Sequence, residues 1–193
     1  MARLIFAGEH VGLIVRGKTS ATHNPGVMEQ HADCILSDGS CVGFFGEGRD
    51  GSSGSSGSAG LNMRGVVYDM DGLRQNRPYY IDGALARGYN VVSTVLSIFV
   101  GTSQAQAFDQ AWANLAANPP SFWLAGANCS TRASGTFKTA GILSGGIPGL
   151  DTPDHLYNQL VATLGNVCSS HSGYVGFTPA NNGYDVTIDA VTS

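Results

Sequence analysis

Charged side chains are scarce in this sequence, and neither sign is concentrated in one place. Lys and Arg contribute 10 of the 193 residues, Asp and Glu contribute 14, and the net charge is −4. Because the basic residues are scattered, the chain lacks the basic patch that nucleic acid binding requires, and we expect no nucleic acid partner. Long hydrophobic runs are also missing. The longest, Val91 to Val100, is interrupted by polar residues and too short to span a bilayer, so we expect no integral membrane segment.

The first ten residues lack the long apolar core and the small-residue cleavage site of a signal peptide. This absence predicts a soluble chain. If the protein acts outside the cell that makes it, we expect export by a dedicated secretion system that does not read an N-terminal signal.

Cysteine is another scarce residue, with four copies and no CxxC pair. Such spacing argues against a disulfide scaffold and against a zinc site, so we expect no metal. Glycine is abundant, but no GxGxxG follows a strand and no P-loop lysine occurs, and we expect no cofactor. Cys34 and Cys41 lie on either side of a predicted turn, where a disulfide is conceivable. The expected register gives a poor geometry for one, which favours free thiols.

The composition that remains is typical of an α+β protein. Hydrophobic residues make up 42% of the chain and glycine contributes 27 residues, and the length suits a single domain, residues 1–193, with a real core. Residues 48–60 are rich in Gly and Ser and are predicted to form a flexible loop without a chemical role. Periodicity predicts strands at 11–15, 31–36, 41–47, 65–69, 90–95 and 184–188, and helices at 103–118, at 129–140 and from 152 onward.

The most informative segment is residues 122–133, in which an aromatic and apolar approach ends at Asn128-Cys129-Ser130. A helix is predicted to begin on Cys129 itself. The first turn of a helix has N–H groups without intrahelical partners and a positive partial charge, which together lower the pKa of a thiol and can hold an oxyanion. Cys129 is therefore the candidate nucleophile.

A nucleophilic thiol needs a base, and the candidate is His31. This residue opens the first strand of a hairpin whose turn is predicted at Asp38-Gly39, so its imidazole would be held on a rigid element. His10 is the main alternative, because it also precedes a predicted strand. A pair formed by Cys168 and His171 is a further alternative, although neighbours in a polar loop seldom have the required geometry.

The third group, which would orient the base, is assigned to Glu47. A two-residue turn pairs His31 with Gly46, whereas a three-residue turn pairs His31 with Glu47 on the same face of the hairpin. Asp33, two residues from His31 and on its face, is the rival for this role.

These residues, in this order, resemble the permuted NlpC-type papain-like superfamily. The resemblance covers roughly residues 31 to 142: a strand histidine, an Asp-Gly turn, a Gly-Phe-Phe return strand, a long helix, and Asn-Cys-Ser at a helix start. It implies an antiparallel sheet packed on the helix that carries the cysteine, with Cys129 as nucleophile and His31 as base. Lecithin:retinol acyltransferase relatives in this superfamily place a second histidine on the return strand, where this chain has Gly43 or its neighbours.

The resemblance implies a cysteine hydrolase that cleaves an amide bond, with peptidoglycan stem peptides as the expected substrate. The protein would act as a secreted antibacterial effector in the periplasm of a target cell, and an immunity protein would then be an expected partner. One alternative keeps the site and changes the substrate to lipid or thioester acyl groups, as in a phospholipase or acyltransferase. A second alternative is a catalytically inactive module that binds a partner.

Overall fold

The computed structural model describes residues 1–26, 30–47, 63–123, 126–145 and 152–191. The predicted loop at 48–60 lies outside these ranges. The described residues form strands and helices in mixed order, which confirms the predicted α+β class. The strands are β1 (Ala2–Ile5), β2 (His10–Arg16), β3 (His31–Ile35), β4 (Cys41–Glu47), β5 (Arg64–Tyr68), β6 (Ser93–Phe99), β7 (Cys168–Ala180) and β8 (Gly183–Asp189). The helices are α1 (Met70–Asn76), α2 (Gly83–Gly88), α3 (Thr102–Ala117), α4 (Cys129–Thr139) and α5 (Pro153–Leu164), with 3-10 turns at Pro78–Tyr80 and Gly165–Val167.

The described strands form one sheet in the order β1-β8-β7-β6-β2-β3-β4-β5, and the paired strands are antiparallel. Strands β2 and β3 lie in its middle and are almost wholly buried, because both of their faces are covered. One face packs against α3, α4 and α5 through large side chains that include Phe108, Trp112, Phe137 and Leu156. The other face packs against α1 and the turn that follows it, through side chains that include Phe45, Leu73 and Ile81.

The hairpin of β3 and β4 has a register that differs from both predicted ones. Asp33 pairs with Gly43 and Ile35 pairs with Cys41, so the loop consists of residues 37–39. Gly39 closes it with a positive φ of 83°, a conformation that glycine adopts without strain. Continued by two residues, this register places Phe45, not Gly46 or Glu47, opposite His31.

Several other elements differ from prediction. The strand predicted at 90–95 begins at Ser93, and α1, α2 and β7 were not predicted. The segment from Cys168 to His171 was expected to be a polar loop, but it is the start of β7. The serines at its start are half-exposed, so the segment lacks the alternation of apolar and polar residues that marks a strand in a sequence. Its backbone N–H and C=O groups form their hydrogen bonds with β6. Within the described ranges, no helix has the length and hydrophobicity needed to cross a bilayer.

Candidate active site

Cys129 is the first residue of α4, as the sequence predicts. Asn128 caps this helix: its side-chain oxygen accepts hydrogen bonds from the backbone N–H of Thr131 at 3.0 Å and from the Ser130 hydroxyl at 2.8 Å. In front of the cap, two backbone hydrogen bonds join Trp123 and Ala127. The cap fixes where the helix begins, and so places Cys129 in the first turn, where the helix dipole favours a negative charge.

The start of α4 packs against the start of β3. The thiol of Cys129 accepts a hydrogen bond from the backbone N–H of Ala32, with 3.5 Å between nitrogen and sulfur. Cys129 is 7% exposed, and the charge of the His31 imidazole, on the residue before Ala32, acts on its thiol. The structure therefore brings together the two residues that the sequence predicts as nucleophile and base, although 97 positions separate Ala32 from Cys129 along the chain.

The two side chains shift each other's acidity in opposite directions. Burial alone would lower the pKa of His31, but the charges of Cys129 and Asp33 raise it to about 10. Burial alone would raise the pKa of Cys129, but the charge and hydrogen bond of His31 lower it below the ordinary value of a thiol. Each shift favours the charged form, which is the expected electrostatic signature of a thiolate–imidazolium pair.

Asp33 holds the other side of the imidazole. Its carboxylate oxygen Oδ1 lies 2.8 Å from Nε2 of His31, which leaves Nδ1 as the ring nitrogen that can face the thiol. Its second oxygen, Oδ2, accepts a hydrogen bond of 2.8 Å from Nε of Arg16. Burial would raise the pKa of Asp33, but His31 and Arg16 lower it, so the fully buried carboxyl group stays ionised.

Aromatic rings fix the plane of the His31 imidazole. The ring of Phe45 stacks on it with 4.3 Å between centroids and 21° between planes, and Tyr80 lies further out at 5.8 Å. The guanidinium of Arg16 lies 4.5 Å from the centroid of Tyr80. Residues of β2, β3, β4 and the turn after α1 thus determine the orientation of one imidazole.

Of the two candidate carboxylates, Asp33 and not Glu47 contacts the imidazole of His31. The Glu47 carboxylate accepts a hydrogen bond of 2.8 Å from the Tyr68 hydroxyl. The cause is the register: it places Phe45 opposite His31 and Glu47 two residues further along. Gly43 lies opposite Asp33 and leaves room for its carboxylate, since a Cβ at position 43 would collide with Oδ1 of Asp33. The acyltransferase-type histidine at this position would exclude Asp33 as placed here.

The two alternative histidines lie elsewhere. His10 is at the opposite end of β2 from Arg16, which pairs with His31, so about 20 Å of strand separates the two ends. Its ring contacts that of Phe99 at 5.3 Å. Cys168 and His171 are three residues apart in β7, so their side chains leave opposite faces of the sheet.

Cys34 and Cys41 also lie on opposite faces of the sheet, which excludes a disulfide between them and accounts for their free thiols. In the described ranges, His, Cys, Asp and Glu side chains form no group of three suited to a metal ion.

Arg16 is a charged member of this site that the sequence did not indicate. It ends the apolar run of β2, where a charged residue usually marks the surface, yet it is 3% exposed. A buried arginine needs a carboxylate partner, and Asp33 in the next strand is the only described side chain that forms a salt bridge with it. The sequence does contain a signal for this pair: β2 and β3 are both apolar strands, and each contains one charged residue, Arg16 and Asp33, of opposite sign.

Comparison of the chain with protein-family models, with curated proteins and with solved structures finds no match.

Proposed function

We propose that this protein is a cysteine hydrolase that cleaves an amide bond, with Cys129 as nucleophile and His31 as base and acid. The observation that carries the proposal is the Cys129 thiol at a helix start, hydrogen-bonded to the backbone N–H of Ala32, next to an imidazole that Asp33 holds. This is the geometry that activates a cysteine for acyl transfer. It also agrees with the resemblance of the sequence to the permuted papain-like superfamily.

The reaction follows from these contacts. The Cys129 sulfur attacks the carbonyl carbon, and the negative charge that forms on the carbonyl oxygen is stabilised by N–H groups of the first turn of α4. The carbon–nitrogen bond breaks as His31 donates its Nδ1 proton to the leaving amine. His31 then takes a proton from water, the resulting hydroxide attacks the thioester, and the carboxylic acid leaves while the thiolate re-forms. Asp33 remains ionised throughout and stabilises the imidazolium.

The candidate for substrate binding is a groove on the same helix as Cys129. It lies between α3 and α4, has a volume of about 440 Å³, and begins two residues after Cys129. Most of its lining side chains are polar or small, namely Ala111, Asn114, Leu115, Asn118, Pro120, Thr131, Arg132, Gly135, Thr136 and Thr139. The lining combines polar and apolar surface, so the amide substrate and the lipid alternative are both tested.

The substrate class is tested with the intact protein and two substrates, purified peptidoglycan sacculi and phospholipid vesicles, with mass spectrometry of the products. We expect amide cleavage products from sacculi, no loss of acyl chains from vesicles, and loss of all cleavage in Cys129→Ala. Cys168→Ala is the matched control, because it removes a thiol in β7, outside the site, and should retain activity. Full activity of Cys129→Ala would rule out the nucleophile.

Two results would favour the alternatives. Release of fatty acids from vesicles would indicate a phospholipase or acyltransferase. No reaction with either substrate, together with a Cys129 thiol that iodoacetamide alkylates no faster than free cysteine, would indicate an inactive binding module. As an exported antibacterial effector, the protein would have an immunity protein that blocks this site in the producing cell.

A further inference from the structure

The groove between α3 and α4 has one charged group. Of the described residues that line it, Arg132 alone carries a charge, and the groove contains no carboxylate to neutralise it. Within the described part of the chain, the buried Nε of Arg132 has no hydrogen-bond partner. The guanidinium is held 5.8 Å from the centroid of Phe44, a fully buried ring. A positioned cation in a groove without an anion favours an anionic ligand.

The same arginine is close to the nucleophile. Cys129 and Arg132 are three residues apart on α4, so their side chains are neighbours on the helix surface, separated by about 5 Å along its axis. Because an extended peptide advances about 3.3–3.6 Å per residue, a group bound to Arg132 would lie one to two residues from a carbonyl at Cys129.

The lining of the groove includes Gly135, in the middle of α4. Glycine is among the poorest helix formers. A Cβ at this position would meet nothing within 4 Å, so the absent side chain leaves open space. The gap lies one turn beyond Arg132, where the ligand would continue.

We propose that this groove binds the substrate through a carboxylate, with Arg132 as its partner and Gly135 leaving room for the chain. The inference deepens the proposed function and depends on it for the role of Cys129. The ligand class is a short peptide with a free carboxylate one or two residues from the scissile amide bond.

The test is a binding measurement that needs no catalysis. Cys129→Ala protein, labelled with ¹⁵N, is titrated with N-acetyl-alanyl-glutamate and with its neutral counterpart, N-acetyl-alanyl-glutamine amide. We expect the acid to shift the NMR signals of Arg132 Nε–H and of the Gly135 amide, with an affinity about tenfold higher than that of the neutral peptide. Equal affinities, or no shift at either residue up to the solubility limit, would overturn the inference.

Variants separate charge from shape. Arg132→Gln should abolish the preference for the acid, and Arg132→Lys should retain part of it. Arg87→Gln, which removes an exposed arginine on α2, is the matched control and should change nothing. Gly135→Leu should weaken binding of both peptides, whereas Ala113→Leu, on an exposed part of α3, should not. A preference that survives in Arg132→Gln would contradict the proposal.

The failure of this inference and the failure of the proposed function are distinguishable. If sacculi are never cleaved but the acid binds at Arg132, the site stands and the enzyme assignment fails. If Cys129 cleaves amides at the same rate in wild-type protein and Arg132→Gln, with acid and neutral substrates alike, the enzyme assignment stands and this site fails.

Discussion

Cys129 and Cys41 are both buried thiols with a cationic side chain within reach, yet their acidities move in opposite directions. Arg16 donates to the Cys41 sulfur at 3.8 Å, but burial and the charge of Asp33 outweigh this contact and raise the pKa of Cys41 well above its ordinary value. For Cys129, His31 outweighs burial and lowers the pKa. The same carboxylate serves both cations, so the position of Asp33 explains the difference.

The contacts form one series: Cys129, His31, Asp33, Arg16, Cys41. Asp33 lies in its middle, with its two oxygens facing the two cations. Arg16 is always charged, but Asp33 compensates most of that charge, so Arg16 stabilises a thiolate at Cys41 only weakly. His31 can gain a proton, and Asp33 favours that gain. A titratable cation lies beside Cys129 and a permanently paired one beside Cys41, and accordingly the pKa of the first thiol is lowered and that of the second is raised.

The largest expected effect comes from removing the shared carboxylate. Asp33→Asn leaves Arg16 as a buried charge without its partner, so we expect a loss of about 3–5 kcal/mol in the free energy of unfolding, measured with urea at neutral pH. The pKa of Cys41 should fall, because the charge that raised it is gone. Asp189→Asn, which breaks an exposed pair with Arg87, should cost at most about 1 kcal/mol. Equal losses in the two variants would contradict the account.

The second effect comes from removing the titratable cation. In His31→Gln the thiolate of Cys129 loses its partner, and its alkylation by iodoacetamide at pH 7 should slow about 100-fold or more. Peptide mapping by mass spectrometry separates this thiol from the others. Alkylation of Cys41, which requires unfolding because the residue is buried, should keep its slow rate. A change of less than about threefold at Cys129 would mean that His31 does not control it.

A smaller effect is expected from the residue that leaves room for Asp33. A methyl group in Gly43→Ala would displace the carboxylate, and we expect a loss of about 1–3 kcal/mol in unfolding free energy together with slower alkylation of Cys129. Gly88→Ala is the matched control, since a Cβ there meets nothing within 4 Å. Equal stability of the two variants would show that Asp33 has room to move.

The smallest expected effect is the dependence of stability on pH. The folded-state pKa of His31, about 10, is raised above the ordinary 6.5 of the unfolded chain. A raised pKa gives stability that is complete below about pH 6.5 and is lost as the pH rises through about 10, with a slope no steeper than about 1.4 kcal/mol per pH unit for one proton. The lowered pKa of Cys129 acts in the opposite sense, giving stability that appears as the pH rises, so the shift of His31 is measured on its own ring. The NMR signals of the His31 imidazole in wild-type protein should titrate at about pH 10, and a midpoint at about 6.5 would contradict the shift.

A second buried ion pair provides an independent reference. Lys18 is 1% exposed and pairs with Asp154 at 2.5 Å, while Asn158 donates to the other oxygen of Asp154. It joins the segment after β2 to α5 without taking part in the contacts of Cys129. Asp154→Ala should therefore lower stability by about 3–5 kcal/mol, as Asp33→Asn does, but leave the pKa of Cys41 unchanged.

The sequence was sufficient for the elements whose signals are local. The apolar run of β2, the Asp38-Gly39 turn and the start of α4 at Cys129 each carry their own pattern, and the structure places them as predicted. β7 could not be recognised, because its first residues are serines and its stability comes from pairing with β6 and β8. Local propensity is a weak guide where tertiary pairing decides.

The orienting carboxylate could not be fixed for the same reason. Its identity depends on the hairpin register, and the register depends on contacts of Gly39 that lie outside the hairpin. The backbone carbonyl of Tyr184, in β8, fills the space where a side chain at position 39 would be. The backbone N–H of Tyr184 donates to the carbonyl of Asp38 in the same loop. A partner about 145 positions away thus helps to select the loop, and with it Asp33 over Glu47.

The titration of the Cys129 thiol tests the central claim most directly. The ultraviolet absorbance of thiolates, measured against pH for wild-type protein and for Cys129→Ala, gives by difference the pKa of this one group. We predict a pKa below the ordinary value for cysteine, which His31→Gln raises above it. A pKa at or above the ordinary value, or one that His31→Gln leaves unchanged, would contradict the account.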